Sequence, residues 1–188
     1  MYYESQLEID RCAPKSFKHF PFSFSPFPFS SFFITFANYL KIKMSKAIIK
    51  TEKGDMTVEF YDNDAPNTVA NFKKLAKSNF YDNVIFHRVI PNFMIQGGDP
   101  TGTGAGGPGY KIDCELTGEN QYHDRGVLSM AHAGRNTGGS QFFICHSRAN
   151  TAHLDRNHTV FGKVIENVDV VDDIRQGDKI LSIEVIED

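Results

Sequence analysis

FHRVIPNFMIQGGD, residues 86–99, holds two short apolar runs parted by Pro91-Asn92 and closed by Gly97-Gly98. Apolar runs this short, bounded by turn residues, read as β-strands joined by a tight connection, because a helix needs a longer periodic stretch. The same residues space a cation, an aromatic ring, a thioether and an amide, Arg88, Phe93, Met94 and Gln96, at intervals of five, one and two. On successive short strands that spacing places the four around one patch.

The same texture runs outward from this stretch. Ala47–Lys50 and Met56–Phe60 flank Glu52-Lys53-Gly54-Asp55, whose glycine supplies the positive φ that a tight hairpin wants. Val84–Ile90, Phe93–Ile95, Val127–Met130, Phe142–Cys145, Thr159–Ile165 and Ile180–Ile186 are also short and bounded by Gly, Pro, Asn or Asp, which makes about eight strands. Asp64 as a cap, Pro66 in the first turn, and Val69, Phe72, Leu75 and Ala76 at helical spacing predict an amphipathic helix. Val168, Val171 and Ile174, ending before Gly177, predict a second. Helices are too few to separate parallel strands. The expected fold is therefore mainly β: a closed eight-stranded antiparallel barrel capped by two α-helices.

The chain has 188 residues, room for one domain and an appendage. Nine of the 17 phenylalanines and four of the eight prolines lie in residues 1–43, whereas all 15 glycines lie later. Residues 1–43 are expected to be a Phe/Pro/Ser-rich leader without a packed core, and residues 44–188 the compact domain. Read instead as a secretory signal, the leader has Arg11, Lys15 and Lys18 before its apolar part, but Pro21, Pro26 and Pro28 interrupt it. No stretch approaches the ~20 apolar residues of a membrane span. A net charge of −3 argues against nucleic acid as a partner. Cys12, Cys114 and Cys145 are an odd count without metal-ligand spacing, which fits reduced thiols and a cytoplasmic location, with secretion the alternative if the leader is a signal.

Three motifs tempt. Gly102-Thr103-Gly104-Ala105-Gly106-Gly107 matches a dinucleotide-binding fingerprint literally, yet it follows Asp99-Pro100 and runs into Pro108-Gly109. It opens no helix that could hold a phosphate, so a flexible surface loop is expected. The seven histidines include no helical pair at ligand spacing, and no metal site is expected. Cys145 and His146 are neighbours on a strand and point to opposite faces, which argues against a thiol–imidazole pair.

A second cluster, SMAHAGRNTGGSQFFI at residues 129–144, adds an amide and an aromatic ring beside small residues. Together with FHRVIPNFMIQGGD and LDRNHTVFGKV at residues 154–164, it resembles the signature segments of the cyclophilin family of peptidyl-prolyl isomerases, and the likeness spans residues 44–188. The resemblance implies a substrate groove on the outside of the barrel, with Arg88 as the catalytic arginine. It implies that Phe93, Met94, Phe143 and Leu154 wall a proline pocket, and that Gln96 and Gln141 orient substrate and arginine. Ala131 and His132 match the strand that pairs with the peptide, and His158 matches the groove histidine. His132 stands where many members have Asn. His153 stands where many eukaryotic members have Trp, on the wall associated with cyclosporin, so cyclosporin is expected to bind weakly.

The implied activity is cis-trans isomerisation of X-Pro bonds in peptides and unfolded proteins, by a monomer without cofactor. Twisting the amide frees the nitrogen lone pair, which a guanidinium can hydrogen-bond only in that state. A binding module of the same fold with little turnover is the alternative, disfavoured by Arg88. A carrier of small apolar ligands inside the barrel is a third, disfavoured because the motif side chains are expected outside.

Overall fold

The computed structural model describes residues 44–187, and the leader expected over residues 1–43 lies outside them. The strands are β1 Lys46–Thr51, β2 Gly54–Phe60, β3 Arg88–Ile90, β4 Met94–Gly97, β5 Val127–Met130, β6 Phe142–Cys145, β7 Val160–Glu166 and β8 Ile180–Ile186. They form one antiparallel sheet in the order β3-β4-β6-β5-β7-β2-β1-β8. Its two ends meet where Ile85 lies opposite Lys179. There Phe86 N–H donates to Asp178 C=O, and Ile180 N–H to Val84 C=O, each at 2.9 Å. Closure is thus a one-bridge seam rather than a full ladder. The expected strand Val84–Ile90 bends at His87, because its first half pairs across the seam and its second half pairs with β4.

Period-two alternation sorts the apolar side chains onto two faces. Ile95, Leu128, Phe142, Ile144 and Phe161 join Phe60 and Phe72 in the interior cluster. Their chain neighbours Met94, Val127, Phe143, Cys145 and Val160 form a second cluster outside, with Phe93, Ala131 and Leu154 against it. Phe72 meets Phe142 edge-on at 5.3 Å and Phe161 at 5.2 Å, so aromatic rings pack the inside of the barrel. β5 and β6 are buried on both faces.

Helix α1, Pro66–Lys77, covers the interior with Val69, Phe72, Leu75 and Ala76, as its periodicity implies. Its cap differs from expectation. Ala65 occupies the cap position without a side-chain bond, and Asp64 instead accepts from Asn120 N–H at 2.6 Å. The helix's first amides are satisfied by Glu115, which accepts from Asn67 N–H at 3.1 Å and Thr68 N–H at 2.8 Å. A carboxylate there also suits the positive end of the helix dipole. The second expected helix shrinks to one turn, α3 at Val170–Asp173. A further turn, α2 at Arg148–Thr151, continues into a 3-10 turn at Ala152–Leu154. Short-range periodicity could not announce it.

Candidate functional site

Strand register builds the site. Arg88 lies opposite Gln96, Gln96 opposite Phe143, and Phe143 opposite Ser129, so one row of outward side chains crosses β3, β4, β6 and β5. The β3–β4 connection is a tight turn with Pro91 second and Asn92 third at φ 62°. Phe93 N–H closes it on Ile90 C=O at 3.1 Å, the pattern a type II turn favours. The segment after β6 clamps this turn. His146 N–H donates to Phe93 C=O at 2.9 Å, and Asn150 Nδ2 to Asn92 C=O at 2.9 Å.

A groove of about 820 Å³ opens over the row. Arg88, Phe93, Met94, Gln96, Ala131, His132, Gln141, Phe143, Leu154 and His158 all line it. His153 does not; it is exposed and stacks on Phe93, ring centres 5.8 Å apart. Arg88 is also exposed, so its charge is kept in water at the groove's mouth rather than buried, as an apolar setting would have required. A chain of amides backs it. Arg88 Nη1 reaches Gln96 Oε1 at 3.4 Å, Gln96 Nε2 donates to Gln141 Oε1 at 3.0 Å, and Gln141 Nε2 donates to the carbonyls of Gly104 and Gly106 at 3.0 and 2.9 Å.

Those carbonyls belong to the glycine-rich loop, which is pinned rather than flexible. Asp99, buried, accepts from Thr101 N–H at 2.7 Å, Gly104 N–H at 2.6 Å and Gly106 N–H at 3.1 Å. Burial opposes its ionisation, but bonds from Thr101, Gly106 and Gly104 hold the carboxyl well below the ordinary carboxylate range. A side chain at Gly106 would put its Cβ 2.1 Å from Asp99 Oδ1, so the glycine there admits the loop to the carboxylate.

Histidines shape the opposite wall. His132 and His158 stack at 4.0 Å. Burial, then the nearby His132, brings His158 down to about 4, so it is neutral at pH 7 and donates from Nδ1 to Met130 C=O at 3.1 Å. Beneath the groove runs a network that the sequence did not announce. His123, fully buried, stacks on Phe143 at 5.7 Å. Its Nε2 lies 2.9 Å from Ser129 Oγ and its Nδ1 3.2 Å from Asp155 Oδ1. Arg148 grips the same carboxylate at 2.7 and 2.6 Å. Burial raises Asp155, but the bonds from Arg148 and His123 win and hold it at about 2. Ser129 is fully buried, so this is a support for the Phe143 ring and not a nucleophile. Nothing but a lone histidine pointed to it. Cys145 is buried and pushed up to about 12 by that burial, an inert packed thiol.

Known proteins share this sequence pattern and this fold. The family described as cyclophilin type peptidyl-prolyl cis-trans isomerase matches residues 46–186. A peptidyl-prolyl cis-trans isomerase of Synechococcus elongatus is 58% identical over 147 residues, covering 77% of this chain and 99% of that one. Peptidyl-prolyl cis-trans isomerase B of Bacillus subtilis is 54% identical over 127 residues, covering 68% and 87%. A crystal structure of a Cryptosporidium parvum cyclophilin type isomerase superposes with a TM-score of 0.69 at 34% identity, covering 78% of this chain and 99% of that one. A second, determined in the presence of the dipeptide Ala-Pro, gives 0.68 at 35% identity and covers 76% and 99%. The chain belongs to the cyclophilin-type peptidyl-prolyl cis-trans isomerase family.

Proposed function

We propose that this groove isomerises X-Pro bonds in flexible or unfolded chains by a division of labour among the residues that line it. The prolyl ring enters the socket of Phe93, Met94, Phe143 and Leu154, which fixes one side of the rotating bond. The segment before proline pairs with the main chain at Ala131 and His132. Ala131 N–H is already committed to Gln141 C=O at 2.9 Å, so the Ala131 carbonyl and the His132 N–H are the groups left to bind peptide.

Rotation then passes through a twisted amide whose nitrogen has regained its lone pair. Arg88 donates to that nitrogen, an interaction absent from the planar ground state and therefore felt as catalysis. Gln96 aims the guanidinium. Gln141, with its amide already engaged by Gln96 and the loop, holds Gln96 rather than touching substrate. His158 presents a neutral ring. Peptide seated over the socket covers the otherwise exposed guanidinium, and the loss of water there strengthens the charge-assisted bond. The observation that carries this reading is a free guanidinium at the mouth of an apolar socket, backed by two amides.

The Ala-Pro dipeptide used with the Cryptosporidium parvum relative supports proline-containing peptides as the substrate class. Arg88→Ala should lower kcat/KM about 10- to 100-fold, since a hydrogen bond to a charged group is worth roughly 1.5–3 kcal/mol. A protease-coupled assay on a short X-Pro peptide, with circular dichroism confirming the fold, checks it. Full activity in the variant would remove the arginine from the mechanism and favour a groove that only binds.

A further inference from the structure

The groove carries cations and, among the described residues, no carboxylate. Arg88 and Lys111 line it and no Asp or Glu does, although the whole chain has a net charge of −3. None of the ion pairs among the described residues uses Lys111. The segment presenting Lys111 is anchored by a side chain before it and by main chain after it. Before it, Tyr110 Oη donates to Asn71 Oδ1 at 2.6 Å, and Asn71 Nδ2 donates to Gly139 C=O at 2.8 Å. After it, Ile112 N–H donates to Gly138 C=O at 2.8 Å. Lys74 lies over the Tyr110 ring at 5.8 Å, a further positive charge on the same rim. A cleft lined by one sign of charge raises the local concentration of ligands of the other sign.

We propose that Lys111 is a specificity-determining residue, selecting X-Pro peptides that carry an acidic side chain near the proline. The inference rests on the isomerase reading of the groove. Arg88 is not the natural partner for that carboxylate, because its guanidinium must stay available to the amide nitrogen. Lys111 has no such duty, and since none of the ion pairs among the described residues engages it, its ammonium is open to a carboxylate of the substrate.

The test is a peptide series in which Glu or Gln occupies each position from three before proline to two after it. At the best-placed position kcat/KM for the Glu peptide should exceed that of its Gln counterpart about two- to fivefold at low salt, the size expected of an exposed ion pair. The ratio should shrink as salt screens it. In Lys111→Gln the ratio should fall close to one, and in Lys111→Glu below one. A ratio cancels any loss of folding common to both peptides. No Glu preference at any position, or one that survives Lys111→Gln, overturns the proposal. Turnover of the Gln peptides reports on the isomerase reading separately; if no peptide is turned over, both readings fall.

Discussion

The two walls of the groove are built from different materials. One is made of side chains: Met94 and Phe143 belong to the outer apolar cluster and are aimed by strand alternation, while Phe93 and Leu154 reach it from turns and pack against it. The other, from Gly104 to Gly109, is largely main chain, with its shape set by one carboxylate, Asp99, and by Gln141. The difference teaches where each wall is vulnerable. A side-chain wall loses function piece by piece, whereas a main-chain wall hangs on the few groups that satisfy its amides.

Asp99→Ala should therefore be the most damaging change. It strips acceptors from the N–H groups of Thr101, Gly104 and Gly106 at once, and Asp99 is only 1% exposed, so water does not easily replace it. The expected loss is about 2–4 kcal/mol, a fall in Tm of roughly 5–15 °C. kcat/KM should fall as well, since Gln141 loses the carbonyls that steady it behind Gln96. Thermal melts and the peptide assay check both. An unshifted Tm would mean that the loop is held by something other than this carboxylate.

Legibility in the sequence divides along the same line. Strand alternation puts the chemically alike Phe142 and Phe143 on opposite faces, but that the Phe143 face is the groove, and that Phe93 and Leu154 join it from turns, was legible only through the family resemblance. The bend at His87, the single-turn α3 and the helical turn before Leu154 could not be read, since each arises from a change of pairing partner or from packing between distant segments. The main-chain wall, expected as a flexible loop, is pinned by Asp99, and the sequence hid this for a related reason. Glycines announce close approach of backbone but not what they approach, and Asp99 precedes them without any helical or strand period to mark it. His123 and Glu115 share that difficulty, as their partners Asp155 and Thr68 lie 32 and 47 residues away.

Acid should separate the two walls. The folded value of His158, about 4, lies below the ordinary ~6.5 of an unfolded histidine. As pH falls the unfolded chain takes up the proton first. The stabilising contribution of His158 is thus complete above pH ~6.5 and is lost as pH drops toward about 4. His123 shifts the same way, lowered by burial against the pull of Asp155. Asp99 behaves as a depressed carboxyl: its contribution is complete above the ordinary ~3.9 and is lost as pH falls from there toward the much lower folded value. Amide NMR signals of residues around His158 and Met130 in the folded protein should therefore move as pH falls through about 4 while those of Gly104 and Gly106 stay. Tm should fall earlier, from pH ~6.5 down toward 4, less so in His158→Gln. Simultaneous titration of both walls would break the distinction.

The smallest effect expected concerns the rim of the side-chain wall. His153 stacks on Phe93 from outside the groove, so it touches a ligand only if that ligand is large enough to spill over Phe93. Cyclosporin, the ligand that the family resemblance implies, has that size, and an indole at this position would offer it more apolar area and a donor at the ring edge. His153→Trp should tighten cyclosporin inhibition by roughly fivefold, the return on about 1 kcal/mol of added burial. Turnover of a short X-Pro peptide should change much less, because the prolyl socket lies on the other side of Phe93. Titrating inhibition of both forms with one peptide substrate measures the two effects together. If turnover shifts as much as inhibition, the rim and the socket act as one wall, and Phe93 does not separate them.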